Sequence, residues 1–284
     1  MQRDTLIAIG TGLGSAVLFL LVLSGNPFAL LLSYFGHLPL FLTGLWQGPK
    51  RLLVAAFAAC IALVLLGGLL PFTVFMVVFA GPAMLLTRMA LVIRKDQNGN
   101  VAFLPSGIVV SAMAVMVATV MIFVTGTLTA EGVDIQDFIA KFLSQMYSEM
   151  GVPMTSDVQG LIGMFQTYFP AIAAVSWLLM LFANAAIAQA ILVRAGKNLR
   201  PTPSMASFAL PGCSLFAFAP AGFAVGFADG SLADVARNVA GARAVPCIFK
   251  GLALGHGQAA SSPQKRLIRP VHYLATVMAT WPFI

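Results

Sequence analysis

Residues 127–160 read TLTAEGVDIQDFIAKFLSQMYSEMGVPMTSDVQG, and this stretch decides the fold. It is the long polar interruption in the first two-thirds of an otherwise oily chain. Glu131, Asp134, Asp137, Glu149 and Asp157 stand in it against one base, Lys141. Apolar runs long enough to cross a bilayer flank it on both sides. An acidic segment between two such runs belongs outside the cytoplasm, and that sets the direction of every other crossing.

Composition points the same way. Of 284 residues, 60% are hydrophobic and 9% charged, with a mean hydropathy of +0.94. A soluble domain carries about a quarter charged residues and could not shield this much apolar surface from water. The net charge of +7 is spread singly and in pairs between apolar runs. Such bases are topology signals rather than a phosphate-binding face, so nucleic acid is not an expected partner. Cys60, Cys213 and Cys247 have no metal-ligand or redox spacing. Neither a metal nor a cofactor is expected.

A membrane-spanning helix needs ~20 apolar residues. Six stretches qualify: 5–23, 28–46, 52–70, 72–93, 107–127 and about 171–193. The second is interrupted at Gly36-His37-Leu38-Pro39, the fourth contains Gly81-Pro82, Pro71 closes the third and Pro170 opens the sixth. Between the fifth and sixth, residues 134–150 repeat apolar positions at spacings of three and four. They predict an amphipathic helix capped by Asp134. With the N-terminus inside, inner segments hold Arg3, Lys50, Arg51, Arg88, Arg94, Lys95, Arg194, Lys197 and Arg200, whereas outer segments up to residue 200 hold Lys141 alone. That asymmetry orients the chain. The expected class is all-α, a polytopic transmembrane helix bundle of six spans plus two or three C-terminal helices. Residues 1–203 form its core; residues 204–284, richer in Gly, Pro and charge, form a region that is degenerate or truncated.

Few residues carry candidate chemistry. Gly10 and Gly14 form a GxxxG pair, and Ala55/Ala59 and Ala186/Ala190 repeat the small-xxx-small spacing that lets helices approach closely. The run Gly10-Thr11-Gly12-Leu13-Gly14 has neither the strand before it nor the acidic residue after it that a dinucleotide site needs. Polar groups inside a bilayer need an interior or aqueous partner. His37, at the helix interruption, could line a solute site or be a structural hydrogen-bonding group. Asn184 and Gln189 lie five residues apart and cannot share one narrow helix face. Tyr34 and Trp177 could join a ligand pocket with them. No catalytic signature is present, so an enzyme is not expected.

Arg3-Asp4 before the glycine-rich first helix, Leu38-Pro39-Leu40 with Gly44, the Arg94–Asn100 turn with Pro105-Ser106-Gly107, Asn184 with Gln189, and Arg200-Pro201-Thr202-Pro203 recur together. In this order they resemble a bacterial family of multi-pass membrane proteins, domain of unknown function 2232. The resemblance covers residues 1–203 well and the remainder poorly. That family is distantly similar to the substrate-binding subunits of energy-coupling-factor transporters. The likeness implies a helical bundle in the bacterial inner membrane, N-terminus cytoplasmic. It also implies a small-solute binding or transport component with a small-molecule ligand, a transmembrane partner subunit that supplies the missing motor, or a homo-oligomer. A non-transporting scaffold or assembly factor is the alternative.

Overall fold

Helices dominate because a backbone crossing lipid must satisfy its own N–H and C=O groups. In the structure, a computed structural model, residues 2–24, 26–95, 101–204, 208–212, 223, 227 and 230–261 are described. The order is α1 (Gln2–Leu20), a short 3₁₀ turn, α2 (Pro27–Ser33), α3 (Leu38–Gln47), α4 (Pro49–Gly67) and α5 (Leu69–Phe75). A π-helical turn (Met76–Ala80) leads to α6 (Gly81–Ala90). The strands β1 (Ile93–Lys95) and β2 (Val101–Phe103) pair antiparallel, and α7 (Ser106–Ala130), α8 (Ile135–Glu149), α9 (Ser156–Arg194) and α10 (Gly230–Ser261) complete the described part.

Among the described residues, six helical stretches are long and apolar enough to span a membrane: 2–20, 28–47, 49–67, 69–90, 106–130 and 156–194. This is the all-α polytopic class that the hydropathy pattern predicts. The chain divides into two compact units. Residues 1–113 with 179–209 form one, and residues 114–178 with 210–284 form the other.

In the first unit α1 packs most extensively on α4, with α3 against both. The approach is close because Gly12 lies on the Ala55 backbone: a Cβ added there would sit 2.9 Å from Ala55 Cα. Ala8, Ser15, Ala16, Ala55 and Ala59 are buried along with it. Thr11 Oγ1 and Thr43 Oγ1 meet at 2.6 Å, joining α1 to α3. The second unit has its own buried residues, Val117, Ile139, Ile162, Leu178 and Val245 among them. There Gly241 lets α10 approach α9, with Ala171 Cβ 3.2 Å from where a Gly241 Cβ would lie.

Three boundaries differ from the sequence expectation. Pro71 does not end the third span. The break comes at Gly68, whose φ of +80° suits glycine, and Pro71 falls in the first turn of α5, where a missing N–H costs no helical bond. Pro170 lies inside α9 rather than opening it, since the apolar periodicity already begins upstream at Val158. The polar turn after α6 is bracketed by a β-hairpin. Of the expected C-terminal helices, α10 is described. The Asn98-Gly99 turn, Cys213, Leu267–Ile284 and most of Leu210–Phe227 lie outside the described residues.

Candidate functional site

The interruption between α2 and α3 gathers several polar groups of the first unit's apolar spans. Pro39 has no N–H to donate, and the chain tightens ahead of it: Phe35, Gly36 and Leu38 N–H donate to Leu32, Ser33 and Phe35 carbonyls at 3.0, 2.9 and 2.9 Å. Bonds of this short register leave other carbonyls for side chains. Asn184 Nδ2, from α9, donates to Tyr34 O at 2.7 Å and to its own helix at Met180 O, 2.8 Å. Ser15 Oγ, from α1, donates to Gly36 O at 2.6 Å.

His37 repairs a second break. Pro82 cannot supply the i+4 bond that the Val78 carbonyl would receive in a regular helix. The backbone there widens to a π turn, with Gly81 N–H donating to Met76 O. His37 Nε2 lies 2.9 Å from Val78 O, and because a carbonyl only accepts, Nε2 carries the hydrogen. The ring is fully buried, stacked on Phe79 at 4.2 Å and 14° and beside Phe41 at 6.1 Å. Gly36 makes the stack fit, since a Cβ there would lie 2.5 Å from Phe79 Cε1. His37 Nδ1 and Asn184 Oδ1, both acceptors in this arrangement, are buried with no hydrogen-bond partner among the described residues.

A second polar centre ties the C-terminal ends of α6 and α9 to the chain just before α7. Arg200 is buried and donates through Nη1 to Ala90 O and through Nη2 to Leu104 O, each at 2.9 Å. Its guanidinium carbon is 5.5 Å from the Phe103 ring centre. Gln189 Nε2 and Asn198 Nδ2 donate to the Arg200 carbonyl at 2.7 and 2.9 Å. Burial pulls the Arg200 pKa below the ordinary guanidinium value. Beside it Lys197 Nζ stands 4.4 Å over the Trp46 ring. In the sequence Arg200 counts only as a topology base. The Pro-flanked position after Gln189 and Asn198 was the available signal.

A family model described as "Predicted membrane protein (DUF2232)" matches residues 15–256, most of the chain. The chain belongs to the DUF2232 family. The match runs well beyond residue 203, where the sequence resemblance fades, and takes in most of α10. Neither the curated proteins nor the solved structures include a match.

The DUF2232 chain does not bring all the predicted site residues into one pocket. His37, Asn184 and the Tyr34 main chain meet at the helix break, but the Tyr34 side chain is 52% exposed and turned away. Gln189 serves the Arg200 centre instead. Trp177 is buried in the second unit. Of the predicted packing residues, Ala55 and Ala59 are buried, the former under Gly12. A Cβ added at Gly10 or Gly14, by contrast, would meet nothing within 4 Å, so they are not the close point of the α1–α4 contact. Ala186 and Ala190 are exposed while Ala188 is fully buried. In both helices the buried small residue sits two positions along from the spacing motif, on a different face. Near the N-terminus, Gln2, Thr5, Leu6 and Arg51 line an open depression of about 550 Å³, with Arg51 Nη1 donating to Thr5 Oγ1.

Proposed function

We propose that this DUF2232 protein is a non-enzymatic scaffold or assembly subunit of the bacterial inner membrane, oriented with its N-terminus in the cytoplasm. The observation that carries the reading is how the intramembrane polar groups are used. His37, Asn184 and Ser15 each donate to a main-chain carbonyl at a helix irregularity. Their first role is to hold broken helices together, as in a closed packed bundle. A partner would be a transmembrane helix of another subunit or of a second copy. Gly10 and Gly14 offer it an open groove on α1.

One observation favours a second reading, a small-solute binding or transport component without its own motor. The acceptors His37 Nδ1 and Asn184 Oδ1 lie buried and unpartnered on groups that flank the same turn, and a hydrogen-bond donor on a solute would satisfy them. Native mass spectrometry of the protein in lipid nanodiscs separates the two. The scaffold reading expects a protein partner or a dimer and no bound small molecule. A stoichiometric small molecule that disappears in Asn184→Leu, with the fold retained, would replace it with the solute reading.

A further inference from the structure

Helix α8 has three sides rather than two. At about 100° per residue and with Phe138 as zero, Ile139, Leu143 and Tyr147 fall near 100°, 140° and 180°, and these are buried or half-buried. Asp137, Ser148, Lys141 and Gln145 fall between about 260° and 340°, all exposed. Between the two sectors, near 0°, 40° and 80°, stand Phe138, Phe142 and Met146, which are 64%, 60% and 36% exposed. A helix with one side on protein and the rest in water would be polar over that third sector. Here it carries two phenylalanines and a methionine, with Ile135 half-buried near 60° and, in the last turn, Glu149 exposed near 20°.

The pattern continues into α9. Leu161, Phe165 and Phe169, four residues apart, are exposed at 46%, 40% and 44%, while Ile162 beside them is buried. Helix α9 has 39 residues, about 58 Å at about 1.5 Å each, against about 30 Å of hydrocarbon. On the N-in orientation proposed above, on which this inference rests, α9 is longer than one crossing needs, and its first four turns, up to Pro170, are the surplus at the outer boundary. On the other flank of α8, the last turns of α7 expose Phe123 and Val124. Along the chain, the exposed apolar residues of α8 are thus preceded and followed by exposed apolar residues at the end of α7 and the start of α9.

We propose that α8 and the first four turns of α9 form an interfacial element on the outer leaflet, with the Phe138/Phe142/Met146 and Leu161/Phe165/Phe169 stripes among the upper acyl chains and the Asp137–Lys141 edge in water. The occupant of this surface is phospholipid. Its headgroups are zwitterionic, because the acids of α8 and its cap, Asp134, Asp137 and Glu149, outnumber Lys141 and disfavour an anionic surface.

The full-length protein in phosphatidylcholine nanodiscs tests this. Phe142→Trp and Phe138→Trp each add emission over that of the native tryptophans. The added signal is expected to be blue-shifted, quenched by acyl-brominated lipid and insensitive to iodide; Lys141→Trp reverses both quenching results. Quenching by iodide at 138 and 142 would place the stripe in water and overturn the proposal. Protection from both quenchers would overturn it too, by placing a second copy or another part of the chain there. The unsubstituted protein gives a check that needs no variant. A lipid with a diazirine in its acyl chain labels the 135–149 peptide if the proposal holds, and leaves it unlabelled if not.

Discussion

A single methyl group at Gly12 should separate α1 from α4. The Cβ of Gly12→Ala would lie 2.7 Å from the Ala55 carbonyl carbon and 2.9 Å from its Cα, whereas carbon atoms settle at about 3.5–4.0 Å. The obstacle is backbone, so no rotamer change relieves it, and the helices must part by about 1 Å. A gap of that size forfeits roughly a quarter to a half of each dispersion contact along the seam. Overpacking of this kind costs about 1–3 kcal/mol, and a backbone obstacle puts Gly12 near the upper end. Alanine returns about 0.5–1 kcal/mol through its better helix propensity, leaving a net loss of about 2 kcal/mol, or roughly 30-fold in the folding equilibrium. Gly10→Ala adds the same methyl two residues away, where nothing lies within 4 Å, and should be neutral or slightly stabilising. The assay is reversible unfolding of both variants in the same micelles. Equal stability of the two, within about 0.5 kcal/mol, would refute the placement of the α1–α4 contact at Gly12.

The remaining expectations concern the polar centres and the topology. His37→Phe keeps the aromatic stack but removes the Nε2 hydrogen bond to Val78 O. It should cost about 0.5–1.5 kcal/mol, and less in a Pro82→Ala background, where residue 82 regains an N–H; an unfolding double-mutant cycle that finds the two changes additive would contradict the repair role. Arg200→Lys cannot hold Ala90 O and Leu104 O together, so hydrogen exchange around the 93–103 hairpin should rise, while Arg194→Lys, at an exposed position, leaves it unchanged. An impermeant maleimide applied to intact cells should label Gln145→Cys and not Lys95→Cys above the background of the native cysteines; labelling of both, or of Lys95→Cys alone, would refute the N-in orientation.

Much of the architecture was legible in the order of residues. The six spans follow from apolar length, and the α2–α3 interruption follows from Gly36 and Pro39. Asp134 is the cap its position predicts, its Oδ1 accepting from Gln136 and Asp137 N–H at 2.8 and 3.3 Å. What could not be read was which side of each helix meets protein. In water, the contrast between polar and apolar faces reveals the buried side. In lipid both sides are apolar, since acyl chains solvate leucine as well as another helix does. That is why the GxxxG motif at Gly10 and Gly14 stood out while Gly12 made the contact, and why Ala188 is buried where Ala186 and Ala190 are not. The polar residues suffered the converse ambiguity. Sequence placed His37 and Asn184 inside the membrane, but only the tertiary structure decided what they bond. Between helices, their partners are carbonyls released by a proline or a short turn, and a main-chain carbonyl carries no signature in the sequence of the residue that will reach it.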